Sequence, residues 1–198
     1  VILVTGGTGA LGSKVAELFL KFSPKAIIIS YRSEKEMQEL KPKILEKNSG
    51  EGKENHHTLI EFVKADITNE DAVKTLISII MKKFGQVHVL ANVVGGYIGG
   101  KSVSETDEEE WDKMMLINLK SAFLISKHVL AHMKKKKFGK IVHISSASGA
   151  KANGNDSAYA ASKAGLIRLV ESMAEESRGF NITMNCILPT IIDTESNR

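Results

Sequence analysis

The first twelve residues constrain this chain most. Val1-Ile2-Leu3-Val4 is a short apolar, β-branched run, the composition of a buried parallel strand. Thr5-Gly6-Gly7-Thr8-Gly9-Ala10-Leu11-Gly12 follows, and Val15, Leu18, Phe19 and Phe22 then recur at helical spacing. A strand that turns through glycines into a helix leaves the helix N-terminus open at the turn. That terminus offers unpaired amide donors and positive potential, which suit a phosphate. The glycines also let a ligand approach the backbone closely. Gly7-x-Gly9-x-x-Gly12 fits the general dinucleotide pattern, whereas the plain alternative is a tight strand-to-helix connection.

The same alternation continues. Strands are expected near 1–5, 26–30, 59–64, 87–91, 140–145 and 182–188, and helices near 11–22, 34–47, 69–84, 107–136 and 156–178. Such alternation gives a parallel sheet covered on both faces, and right-handed crossovers make it doubly wound. The expected fold is therefore α/β, a three-layer αβα Rossmann arrangement, with residues 1–198 forming a single dinucleotide-binding domain. Ligands of such sheets lie at the strand C-terminal edge, where Gly12, Asn92, Ser146 and Thr194 are expected to cluster.

The second strand ends in Tyr31-Arg32-Ser33, with no acid at the point where an NAD site usually carries one. Arg32 can hold a 2′-phosphate with its planar fork, which favours NADP(H), and Glu34 keeps NAD(H) open. The third strand ends at Asp66-Ile67. Asp66 is placed to cap the helix that begins near Asn69.

Tyr159-Ala160-Ala161-Ser162-Lys163 carries the chemistry. A tyrosine four residues before a lysine shares its helix face, and the nearby cation favours the phenolate. The phenol then becomes a usable proton donor or acceptor, and the Ser146 hydroxyl is available for the same substrate oxygen.

Taken together, these segments resemble the short-chain dehydrogenase/reductases over nearly the whole chain. The turn matches Thr-Gly-x-x-x-Gly-x-Gly except that Ala10 replaces the middle glycine. Gly6-x-x-Gly9-x-x-Gly12 also resembles the extended, epimerase-like branch. Asn92-Val93-Val94-Gly95 resembles the Asn-Asn-Ala-Gly segment, retaining Asn92 and Gly95. Asn118, Ser146, Tyr159 and Lys163 match the family tetrad in order and spacing. Pro189-Thr190-Ile191-Ile192-Asp193-Thr194 resembles the nicotinamide turn, with Thr190 in place of glycine. The fourth-strand, Asn118 and Pro189–Thr194 segments favour the ordinary branch, nearest to 3-oxoacyl-carrier-protein reductases.

The resemblance implies an NADP(H)-dependent oxidoreductase that interconverts a ketone and a secondary alcohol. The alternatives are an epimerase or dehydratase, and a catalytically silent NADPH-sensing module. Tyr159 would be the general acid or base, and Ser146 would bind the substrate oxygen. Lys163 would assist Tyr159 and hold the nicotinamide ribose, and Asn118 would anchor a relay water. Gly6, Thr8, Gly9, Leu11, Gly12, Arg32, Ser33, Asp66, Ile67, Asn92, Gly95, Pro189, Ile192 and Thr194 would contact the cofactor, together with Tyr159 and Lys163, with Asp66 at the adenine amino group rather than at a helix cap. The family continues past the nicotinamide turn into a substrate-covering segment and a last strand, so both ends of this chain are expected to be cut.

Composition narrows the rest. The net charge of +4 is interspersed, and the one sharp basic run, Lys134–Lys137, ends a helix where cations are favoured. Neither observation argues for nucleic acid. His56-His57 lacks further ligands at metal spacing, so no metal is expected. Cys186 stands alone, which excludes an intrachain disulfide and accords with a cytoplasmic setting. No stretch is read as long and apolar enough to cross a bilayer. Met114, Leu119, Phe123, Leu166, Leu169 and Met173 place apolar residues on more than one face of two long helices, which points to a homo-oligomer, a dimer or tetramer.

Overall fold

The computed structural model describes residues 1–49, 58–151 and 153–194. Six strands form one parallel sheet: β1 (Ile2–Thr5), β2 (Ala26–Tyr31), β3 (Leu59–Lys64), β4 (Val89–Asn92), β5 (Gly139–Ile144) and β6 (Ile182–Ile187). Their order is β3-β2-β1-β4-β5-β6. The order reverses between β1 and β4, which opens the crevice where such sheets bind ligands. Leu3 lies opposite both Ile28 and Leu90 across that junction.

Helices α1 (Ala10–Phe19), α2 (Glu34–Asn48), α3 (Glu70–Phe84), α4 (Glu108–Met114), α5 (Ser121–Lys136), α6 (Ala147–Ala150) and α7 (Ser157–Glu176) fill the crossovers. Strand alternation sends successive side chains to opposite faces. Ile2, Val4, Ile27 and Ile29 therefore pack with Ala16 and Leu20 near α1 and with Leu40 and Ile44 of α2. Leu3, Ile28, Leu90 and Ile141 pack on the other side against α3, α5 and α7, through Leu76, Ile125, Met133 and Leu166 among others.

Three local readings change. The helix expected over 107–136 is interrupted by a π-helical turn, Met115–Lys120, between α4 and α5. The fourth strand begins at Val89 rather than Val87, although the His88 carbonyl already accepts from Lys140 N at 2.9 Å. Asp66 does not cap α3. Asn69 does, its side chain accepting from Ala72 N at 3.0 Å.

Within the described run Glu108–Lys136, one 18-residue window reaches a mean hydropathy of 1.2, a length and composition that buried core helices share with membrane-crossing ones. Half of that window is buried in this domain, where Ala122, Leu124, Ile125, Val129 and Met133 join the core beneath the sheet. Lys134, Lys135 and Lys136 occupy the last turn of α5, and Lys137 closes it in the left-handed region at φ 51°. The His56-His57 pair lies outside the described residues.

Candidate active site

The glycine turn is shaped by contact. Gly6 adopts φ +66°, a conformation that side chains rarely take. A Cβ on Gly12 would stand 2.1 Å from Gly6 O, and one on Gly7 would stand 2.6 Å from Ile29 Cγ2. Only glycine lets α1 approach this closely. The N-cap of α1 is Gly9, with no side-chain cap and no acid in the first turn. No capping side chain therefore competes with a phosphate for these amides.

Two adjoining cavities open at the strand edge. The first, of about 240 Å³, is lined by Gly6, Thr8, Gly9, Arg32, Ser33, Asp66, Ile67 and Gly95, with Glu36 and Ile117. The second, of about 720 Å³, is lined by Leu11, Gly95, Ser146, Tyr159, Lys163, Pro189 and Ile192, with Tyr97 and Asp156. Val93 and Gly95 line both. A ribose-adenine half and a nicotinamide half fit this division. Thr194 follows two residues beyond Ile192, outside that lining.

Several polar groups on the cavity walls already have partners. Ser33 accepts from Glu36 N at 3.3 Å and caps α2. Asp66 accepts from both the amide and the hydroxyl of Thr68. Burial opposes its ionisation, but the Thr68 bonds and the nearby Arg32 charge hold the carboxyl below its usual range. Glu34 turns away to Tyr31 Oη and Lys64, so Glu36 is the glutamate that lines the first cavity.

Lys163 is 4% exposed, and its Nζ donates to Ile144 O at 2.9 Å. Burial pushes its pKa down to about 8. The Nζ lies 5.8 Å from the Tyr159 ring centroid, as expected one turn apart. Ser145 donates to Lys163 O at 2.8 Å, which ties β5 to α7 and leaves Ser146 facing the cavity. The Ser146 hydroxyl accepts from Ser148 N at 3.2 Å, so its own proton remains to be donated.

Asn118 sits behind the wall, 1% exposed, on the π-helical turn. Its carboxamide accepts from Gly96 N at 2.9 Å and donates to Gly96 O and to Ser162 Oγ, both at 3.0 Å. A Cβ on Gly95 would lie 3.1 Å from both Asn118 Oδ1 and Lys163 Nζ. The glycine thus lets the two residues close on one turn.

Asn92 also lies behind the cavities. Its Oδ1 accepts from Thr5 Oγ1, and its Nδ2 meets His143 Nδ1 at 2.9 Å. His143 Nε2 meets Ser126 Oγ at 3.0 Å. Since Asn92 Nδ2 can only donate, His143 Nδ1 is the acceptor and the proton sits on Nε2. Burial, with Lys163 nearby, pushes the imidazole pKa down to about 4.

The short chain dehydrogenase family matches the chain over residues 1–198. The chain belongs to the short-chain dehydrogenases. It is 31% identical over 198 residues to the 3-oxoacyl-acyl-carrier-protein reductase of Vibrio cholerae serotype O1, covering 100% of this chain and 75% of that protein. A structure of ElxO with NADP bound is 30% identical with a TM-score of 0.88, covering 98% of this chain and 75% of the other. A structure of NAD+-bound xylitol dehydrogenase is 26% identical with a TM-score of 0.88, covering 98% and 71%. This short-chain dehydrogenase is accordingly an oxidoreductase of the nicotinamide-using class.

Sequence reading missed four polar residues of this short-chain dehydrogenase: Glu36, Tyr97, His143 and Asp156. Tyr97 Oη donates to Asp156 Oδ1 at 2.7 Å, and its ring packs edge-on against Tyr159 with centroids 4.9 Å apart. Only Glu36 had a signal, three residues after the N-cap Ser33 at the start of α2.

Proposed function

We propose that this short-chain dehydrogenase reduces a ketone to a secondary alcohol, and reverses that reaction, with NADP(H) as the favoured cofactor. A 3-oxoacyl thioester is the first substrate to test, on the strength of the Vibrio cholerae relative. The observation that carries the reading is the convergence of Ser146, Tyr159 and Lys163 on one 720 Å³ cavity that adjoins the glycine-turn cavity.

Gly6, Gly9 and the open α1 terminus would hold the pyrophosphate, Arg32 a 2′-phosphate, and Pro189 and Ile192 the nicotinamide side. When bound, the nicotinamide supplies the hydride for the carbonyl carbon. Ser146 donates a hydrogen bond to the carbonyl oxygen and orients it. Tyr159 gives its phenolic proton to that oxygen as the C=O π bond breaks. Lys163, held by Ile144 O, stabilises the charge left on Tyr159 Oη. The Asn118 side chain is spent on Gly96 and Ser162, so any proton relay at that residue runs through its main-chain carbonyl.

The test is NADPH oxidation against 3-oxoacyl thioesters, quinones, diketones and sugar ketones, with Tyr159→Phe as control. The expected result is turnover of one class, a fall of about 10²-fold or more in Tyr159→Phe, and cofactor affinity within a few-fold of the unmutated protein. Tight NADPH binding without turnover on the whole panel would replace this reading by a sensing module.

A further inference from the structure

Glu36 stands in the cavity that the reading above gives to the adenosine ribose. It shares that lining with Arg32 and Thr8, and Thr8 Oγ1 donates to Glu36 Oε2 at 2.8 Å. The only hydroxyl proton of Thr8 is therefore committed to a carboxylate rather than offered to a phosphate. Glu36 approaches from the first turn of α2, where its amide is fixed by the Ser33 cap, so its backbone cannot drift from this wall without breaking the cap. Asp66 adds a second carboxylate on the same cavity, with Oδ1 engaged by the amide and hydroxyl of Thr68.

We infer that Glu36 is a cofactor-selectivity residue that opposes Arg32, so that the protein uses both NADPH and NADH and the balance is set by this glutamate. A carboxylate only accepts hydrogen bonds. It is suited to a ribose 2′-hydroxyl and repels a 2′-phosphate, whereas the Arg32 guanidinium attracts that phosphate. The acid looked for at the end of β2 is supplied from the helix that follows. This inference rests on the nicotinamide-cofactor reading of the site.

The experiment measures binding rather than turnover. NADPH and NADH are titrated separately, by fluorescence, into the unmutated protein, Glu36→Gln, Arg32→Ala and Glu34→Gln. Glu34→Gln removes the same charge from the same helical turn but from a side chain that faces Tyr31 and Lys64. Glu36→Gln is expected to move the ratio of the two affinities about tenfold toward NADPH. Arg32→Ala should move the ratio the other way, and Glu34→Gln should leave it within about twofold. An unchanged ratio in Glu36→Gln, or an equal shift in Glu34→Gln, overturns the inference while leaving the dehydrogenase reading intact. No binding of either cofactor by the unmutated protein overturns both.

Discussion

The Asn118 carboxamide grips Gly96 at both of its main-chain groups, accepting from the amide at 2.9 Å and donating to the carbonyl at 3.0 Å. The loop that leaves β4 is thereby fixed to the helix layer just behind Lys163.

Asn118→Leu keeps the volume and loses the grip. Gly96 would be left with an unbonded amide in a partly buried place, and Ser162 would lose a donor. A stability loss of about 2–4 kcal/mol is expected in urea unfolding. Turnover should fall by about tenfold or more, because Gly95 no longer sits correctly against Lys163. An unchanged unfolding midpoint would show that the bonds carry no weight.

Gly12 and Gly9 make a contrasting pair. A methyl on Gly12 meets Gly6 O at 2.1 Å, whereas one on Gly9, which sits at φ −71°, meets only Gly6 O at 3.4 Å. Gly12→Ala should cost on the order of 2–3 kcal/mol and abolish measurable cofactor binding. Gly9→Ala should stay within about 0.5 kcal/mol of the unmutated protein. Similar stability for the two variants would contradict the steric account.

His143 predicts a pH dependence. Its folded pKa, about 4, lies below the ordinary 6.5, so the unfolded chain binds its proton first as the pH falls. Its stabilising effect is complete above pH 6.5 and is lost as the pH drops toward 4. About 2 kcal/mol should be gone by pH 5 from this group alone. His143→Asn should flatten that part of the urea-stability profile. Identical slopes for the two proteins would refute the assignment.

The α4–α5 side carries an exposed apolar groove. Of the six apolar residues read as covering more than one helix face, Met114, Leu166 and Met173 are buried in the core. Leu116 and Phe123 stay 37% and 44% exposed, and with Leu119 and Leu169 they line an open groove of about 880 Å³. We expect a dimer or tetramer in light scattering, and a lower mass for Phe123→Lys. A monomer for the unmutated protein would remove this surface from consideration.

The central strands were legible because they are buried on both sides and read as continuous apolar runs, as in Ala26-Ile27-Ile28-Ile29. The glycine turn was legible because a steric requirement leaves a residue type behind. Tyr159 and Lys163 were legible through their spacing on one helix, whereas Asn118 and Ser146 were read from the family resemblance. What could not be read was set by tertiary neighbours. Glu36 reaches Thr8 across 28 positions, Tyr97 reaches Asp156 across 59, and His143 reaches Asn92 across 51. The break at Met115–Lys120 left no trace either, because Met115-Leu116-Ile117-Asn118-Leu119-Lys120 holds no proline or glycine to announce it.

That break makes residue count, as well as residue type, a determinant of the site. A π turn accommodates an added residue relative to regular α winding. Removing one residue between Met115 and Ile117 would let α4 and α5 wind as a single regular helix, with the two halves still in phase and the widened turn that carries Asn118 drawn back onto α winding. Asn118 would then lose the displaced position from which it holds Gly96, although Asn118 itself is unchanged. Circular dichroism would report the same helicity for the shortened chain, while its unfolding midpoint and cofactor affinity would drop. Within this segment, a one-residue deletion should do more harm than a substitution at any of its exposed positions.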